Sequence, residues 1–165
     1  MSGLSITIPG SPYAQKRHRA RVAGKGAKQW VSVYDHPDNV AFRDRAQLHF
    51  WEAIKGKPGV VQILHSEGPL RLGIAAFWQC PKSQERKREP RLLRYKTGRP
   101  DCDNCAKAIM DAGNGILWAD DAQVVELEVS KFIAAQGDAP RTVVRIERLG
   151  ENLAPEGQFF GEESK

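Results

Sequence analysis

Residues 99 to 133 read RPDCDNCAKAIMDAGNGILWADDAQVVELEVSKFI, and the fold turns on this stretch. Cys105, Ile109 and Ala112 recur at i, i+4 and i+7, which marks one apolar face of a helix predicted from about Asp101 to Ala112. Asp103, Lys107 and Asp111, at i, i+4 and i+8, share another face of that helix. Gly113 and Gly115 stop it. Beyond Asp120-Asp121 the period shortens to two, with Val125, Leu127 and Val129 on one side of a strand predicted from Gln123 to Ile133.

The flanking sequence adds further elements of both kinds. Leu4, Ile6 and Ile8 alternate with small polar residues before Pro9-Gly10, as a short strand ending in a turn does. From Pro37 or Asp38 to about Lys55, Val40, Ala41, Asp44, Leu48, Trp51 and Ile54 fit an amphipathic helix that Gly56 and Pro58-Gly59 terminate. Leu70, Leu72, Ile74, Ala76 and Trp78 alternate as a second strand, and Arg141 to Arg148 forms the last. The order β-α-β-α-β-β implies one small α/β domain over residues 1–149, with a mixed four-stranded sheet and two or three helices. Residues 150–165 lack periodicity and are expected to be poorly ordered, with Phe159-Phe160 as a candidate docking pair.

Composition narrows the class. A chain of 165 residues, 41% hydrophobic and 27% charged, can bury one core and has the balance of a folded globular protein. No apolar run approaches the roughly 18 residues of a membrane span, and Met1 to Gly10 lacks the design of a signal peptide, so a cytoplasmic location is expected. Cys80, Cys102 and Cys105 are an odd set without an export signal, which favours reduced thiols. The net charge of +5 favours an anionic partner. Cations gather in two runs: Lys16, Arg17, Arg19, Arg21, Lys25 and Lys28 around His18, then Lys82, Arg86, Lys87, Arg88, Arg91, Arg94, Lys96 and Arg99 on an expected long exposed loop. Either run alone is as well explained by a solvated surface.

Between the basic runs and the end of the domain the sign reverses, with Asp101, Asp103, Asp111, Asp120, Asp121, Glu126 and Glu128 facing only Lys107. Hydrolysis of a phosphodiester needs charge neutralisation and an activated water, and hard oxygen ligands holding Mg²⁺ provide both. If the strand packs beside the helix, Asp101, Asp103 and one of Asp120 and Asp121 can share a metal, leaving Lys107 for the scissile phosphate. Each residue also has a structural role open to it: Asp101 as a helix cap, Lys107 paired with Asp103 or Asp111, Asp120-Asp121 as turn residues. Cys102-x-x-Cys105 with Cys80 has zinc-like spacing but no evident fourth ligand, and Cys105 falls on the apolar stripe. No Ser-His-Asp pattern, Walker A loop or dinucleotide fingerprint is present. Tyr13, Trp30, Tyr34 and Tyr95 lie in or near the basic runs, where a ring can stack on an unpaired base or simply fill core.

The run Pro100-Asp101-x-Asp103-Asn104-x-x-Lys107, then Asp111-Ala112, then Asp120-Asp121-x-Gln123-Val124, resembles the signature of the RusA family of Holliday-junction resolvases. Ile8-Pro9-Gly10-Ser11-Pro12 and Lys16-Arg17-His18-Arg19 are similar to that family's first strand and basic turn, so the resemblance spans roughly Leu4 to Arg148. It implies that Asp101, Asp103 and Asp121 are catalytic metal-binding carboxylates with Asp120 beside them, and that Lys107 is an essential cation. It also implies Mg²⁺ or Mn²⁺ as cofactor, a homodimer, and paired symmetric nicks in branched DNA during recombination and repair. The products would carry 5′-phosphate and 3′-hydroxyl ends. DNA contacts would fall to Lys16, Arg17, Arg19, Arg21, Arg86, Lys87, Arg88, Arg99 and Asn104, in a protein of bacterial, prophage or phage origin. Two departures stand out: Gly113 replaces the leucine usual after Asp-Ala, and the Lys82 to Arg99 loop is long. The competing readings are a non-catalytic basic DNA-binding module with a structural acidic cluster, and a zinc-stabilised DNA-binding domain.

Overall fold

The computed structural model describes residues 3–17, 19–24 and 29–150; His18, Lys25, Lys28 and the tail from residue 151, Phe159-Phe160 included, lie outside the described residues. Leu4–Pro9 forms β1, whose alternation buries Ile6 and Ile8 and exposes Ser5 and Thr7. Arg19–Ala23 (β2) and Trp30–Tyr34 (β3) pair antiparallel as a separate two-stranded sheet. Pro37–Ile54 forms α1. Proline fits its first turn, where an N–H would find no partner, and Phe42, Ala46, Phe50 and Ile54 at steps of four are buried; of the apolar face expected from the sequence only Ile54 is buried, while Val40, Leu48 and Trp51 stand exposed.

A further helix, α2 (Pro58–His65), begins where the sequence suggested only a break, because proline that ends one helix also opens the next. Leu70–Trp78 is β4, and Lys82–Gln84 is a single 3-10 turn. Arg94–Tyr95 is β5, Cys102–Gly113 is α3, Asp121–Gln123 is another 3-10 turn, and Val124–Ile133 and Arg141–Arg148 are β6 and β7. The main sheet runs β1-β7-β4-β6-β5. β4 and β6 are parallel neighbours joined through α3, and the other pairs are antiparallel.

The expected α/β class and mixed sheet are present, but the sheet has five strands rather than four, and a hairpin stands beside it. Both additions escape hydropathy for physical reasons. β5 is two residues held by Phe132 and Ile133 of β6, too short for any period. β2 alternates arginine with alanine and valine, so its period of two is written in charge rather than in apolar side chains.

One face of the sheet (Ile6, Ile8, Leu70, Leu72, Ile74, Val144, Ile146) packs against Phe42, Ala46 and Phe50 of α1 and Ala106, Ile109 and Ala112 of α3. The opposite face leaves Ser5, Thr7, Arg71 and Arg145 exposed. Gly113 closes α3 because the indole of the fully buried Trp118 lies where a side chain would be: a Cβ there would stand 2.5 Å from Cη2 and Cζ2. The helix ends where the glycine predicted, and the reason is Trp118 as well as glycine's weak helix preference. No helix among the described residues is long and apolar enough to cross a membrane.

Candidate active site

The first turn of α3 gathers the residues of the motif. Asp101 occupies the cap position with extended backbone (φ −78°, ψ 155°), yet its exposed carboxylate makes no capping hydrogen bond. Asp103 follows inside the first turn, its Oδ1 accepting from Asn104 Nδ2 at 3.3 Å. Lys107 lies one turn further along the same face, exposed, and forms no ion pair among the described residues. The positive end of the helix dipole favours carboxylates at this position. Lys131 of β6 fixes the approach to it: Nζ donates to the carbonyls of Gly98 at 3.0 Å and Pro100 at 2.6 Å.

The first basic run is fastened to two helices. Asn39 of α1, 5% exposed, is the hub: its Oδ1 accepts from Tyr13 Oη (2.6 Å) and Lys16 N (2.9 Å), while Nδ2 donates to Lys16 O (2.9 Å) and Asp35 Oδ1 (2.6 Å). On α3, the Gln15 backbone N–H donates to Asn104 O at 2.9 Å and its side-chain amide to Asp111 Oδ2 at 2.8 Å. The hydrogen bond from Asn39 holds the Asp35 carboxyl below its ordinary range, and burial raises the Tyr13 hydroxyl. A shallow cleft between the helices is lined by Tyr13, Gln15, Asn39, Arg43 and Asp111. This anchoring sets Gln15 against Asn104 and Asp111 of α3, with Lys16 and Arg17 next along the chain. Lys16 already pairs with Asp38, whereas Arg17 is exposed. Arg19 and Arg21 follow on the backbone of β2.

Asp120 and Asp121 behave differently from each other. Asp120 caps the 3-10 turn, with Oδ1 accepting from Ala122 N at 2.8 Å and Gln123 Oε1 reciprocating to Asp120 N at 3.2 Å. Asp121 is half-buried, with no such bond. β6 packs beside α3, but the two run so that the carboxylates sit at opposite ends. Cys102 Sγ lies 3.9 Å from Val129 O, and Val129 is five residues beyond the start of β6, roughly 16 Å at about 3.3 Å per residue. Among the described residues, no three Asp, Glu, His or Cys side chains converge as one cation site. A single copy therefore brings Asp101 and Asp103 together and leaves Asp121 apart.

Arg86, Lys87, Arg88 and Arg99 are exposed, on a loop that is pinned rather than loose. Gln136 clamps it, accepting from Arg86 N (2.9 Å) and Arg91 N (3.3 Å) and donating to Arg86 O (3.1 Å). No pattern in the sequence marks Gln136, Gln15 or Lys131, because Gln136 and Lys131 hold backbone groups that any residue type supplies and Gln15 meets an aspartate 96 positions away. The three cysteines are free thiols; Cys105 is buried on the apolar stripe, and burial pushes its thiol up to about 11, the wrong direction for a zinc thiolate.

Residues 9–147 match the family described as Endodeoxyribonuclease RusA. A Bacillus subtilis (strain 168) protein, described as Uncharacterized protein YqaN, is 31% identical over 156 residues, covering 90% of this chain and 99% of that one. The Crossover junction endodeoxyribonuclease rusA of Lactococcus phage r1t is 30% identical over 108 residues, 65% of this chain and 72% of the phage protein. The family match begins at Pro9, the last residue of β1, and takes in the anchored basic run, the Asp101 to Lys107 turn and both strands that flank α3. The chain belongs to the RusA family of endodeoxyribonucleases.

Proposed function

We propose that this protein is a Mg²⁺-dependent endonuclease that resolves four-way DNA junctions by paired nicks, acting as a homodimer in recombination and repair. One observation carries the reading: Asp101, Asp103 and Lys107 share the start of α3, and among the described residues none has a structural bond that explains its presence beyond the weak Asn104 contact. Asp101 and Asp103 offer the hard oxygen donors that suit Mg²⁺ (Mn²⁺ has the same preference), and a bound ion would supply charge neutralisation and water activation there. Lys107 contacts the scissile phosphate as a cation with no counter-ion among the described residues. Lys131 holds the Gly98 and Pro100 carbonyls and so fixes where Asp101 points. Arg17, Arg19, Arg21, Arg86, Lys87, Arg88 and Arg99 grip flanking phosphates, with Lys16 and Asn104 positioned beside them.

The third carboxylate comes from a second copy. On the side away from β4, β6 meets β5 at Phe132 and Ile133 and the Lys96 N–H at Lys131 O, and among the described residues no strand pairs with its edge from Val124 to Ser130, where Val125 and Leu127 are 59% and 47% exposed. A mate laid antiparallel along that edge brings its Asp121 toward the Val129 to Lys131 region, where Asp101 and Asp103 stand. The competing reading, a binding module with a structural acidic cluster, accounts for Asp120, whose carboxylate caps a turn, but gives Asp101, Asp103 and Lys107 nothing to do.

Mixing variants tests both the activity and the shared site. Asp103→Asn and Asp121→Asn proteins should each fail to cut a synthetic four-way junction in Mg²⁺ while still binding it. Mixed and allowed to exchange subunits, they should regain nicking, because one site of each heterodimer combines an intact Asp101-Asp103 pair with an intact Asp121. No recovery would assign each site to a single chain. Wild-type protein that binds but never cuts would favour the binding module.

A further inference from the structure

Four residues stand directly opposite one another across four strands: Tyr95 on β5 faces Phe132 on β6, Phe132 faces Phe77 on β4, and Phe77 faces Arg141 on β7. All share the exposed face of the sheet, the one that carries Arg71 and Arg145. The rings are stacked, with centroids 5.3 Å apart at 27° for Tyr95–Phe132 and 5.1 Å apart at 20° for Phe132–Phe77. Arg141 closes the far end, its guanidinium carbon 4.4 Å from the Phe77 centroid. At the near end Tyr95 is 76% exposed, and its outer ring face meets no other ring or cation among the described residues. We propose that this ladder is a base-stacking site: an unpaired nucleobase of the DNA substrate takes the next rung, on the outer face of Tyr95.

The proposal rests on the reading of the protein as a DNA enzyme and specifies which part of the DNA it takes. In a duplex both faces of each base are covered by neighbours, so a protein ring finds a free face only where stacking is interrupted, at a branch point or in a single strand. Charge complementarity supports a nucleic acid over an apolar peptide: residues 82–99 around the ladder carry eight Lys and Arg against Glu85 and Glu89. Position supports it too. Lys96, next to Tyr95, donates its backbone N–H to Lys131 O at 2.9 Å, and the Lys131 amine holds Gly98 and Pro100 in front of Asp101. Tyr95 and Asp101 are six positions apart and so lie within about 22 Å of each other, which puts a stacked base only a few nucleotides from the phosphate at the carboxylates. A purely structural ladder would place its outermost ring where it buries area, and Tyr95 buries little.

The test is binding in EDTA, read by fluorescence anisotropy with a labelled thymine oligonucleotide, a blunt duplex and a four-way junction. Tyr95→Ala and Tyr95→Leu, which lack a flat ring, should bind the oligonucleotide on the order of 5- to 100-fold more weakly than wild type, the range for one base on one ring. Tyr95→Phe should bind within twofold of wild type, and duplex affinity should change less than twofold in all three. Undiminished oligonucleotide binding by Tyr95→Ala, an equal loss on duplex, or a loss in Tyr95→Phe would each overturn the stacking site while leaving the nuclease reading intact. Wild-type protein that binds none of the three DNAs would overturn both.

Discussion

Replacing Gly113 by alanine should destabilise the protein, against the usual gain of such a change in a helix. Alanine at an interior helix position is worth roughly 0.5–1 kcal/mol over glycine. Here the added Cβ would lie 2.5 Å from two atoms of the Trp118 ring, which is fully buried and cannot retreat toward solvent. Overpacking costs about 1–3 kcal/mol, and two buried ring atoms at 2.5 Å put this case in the upper half of that range, so after a gain of roughly 1 kcal/mol the net loss is about 1–2 kcal/mol. For a chain of this length that lowers Tm by about 2–8 °C, readable by differential scanning fluorimetry and urea titration. Leucine, the residue the wider family resemblance would favour, should be worse, and Trp118→Ala should relieve part of its cost in the double variant. Junction cutting by Gly113→Ala should persist below its Tm, since Asp101 and Asp103 lie at the other end of α3. A variant as stable as wild type would refute the account of why this helix ends in glycine.

Two further outcomes follow from the packing. Asn39→Ala removes four hydrogen bonds, one from the Tyr13 hydroxyl and two with the Lys16 backbone among them, so urea unfolding should show a loss of about 2–3 kcal/mol. A loss well under 1 kcal/mol would mean that the basic run is held by something else. Cys105 gives a pH signature: its thiol stays protonated to about 11 in the folded chain but ionises near its ordinary 9.0 when unfolded. The unfolded state therefore binds fewer protons between those values, and stability should fall across the window by about 1.4 kcal/mol per pH unit at most. Below pH 9 the two states hold the same proton and the contribution vanishes. Cys105→Ala should remove this part of the alkaline loss, and an unchanged slope would contradict it.

Much of the fold was legible because its main elements carry strong periods. Leu70 to Trp78 and Arg141 to Arg148 alternate cleanly, and the Cys105, Ile109, Ala112 stripe lies buried against the sheet. Elements held by neighbours rather than by their own pattern were not legible, as β5 and the arginine-rich β2 show. At the site, spacing revealed that Asp103 and Lys107 share a face. It could not reveal that α3 and β6 carry their aspartates to opposite ends, because that depends on the direction of a crossover and not on any residue. Nor does residue type separate Asp120, spent on Ala122 N, from Asp121 one position later.

The bare edge of β6 has a consequence for dosage. In the proposed dimer a two-fold mate covers the β6 edge of both copies in one step, so pairing through β6 halts at two chains. A lone copy then holds an incomplete set of ligands and is harmless to DNA. When the protein is scarce, cutting should rise with the square of its concentration, so that a nuclease made in small amounts stays silent until its numbers warrant otherwise.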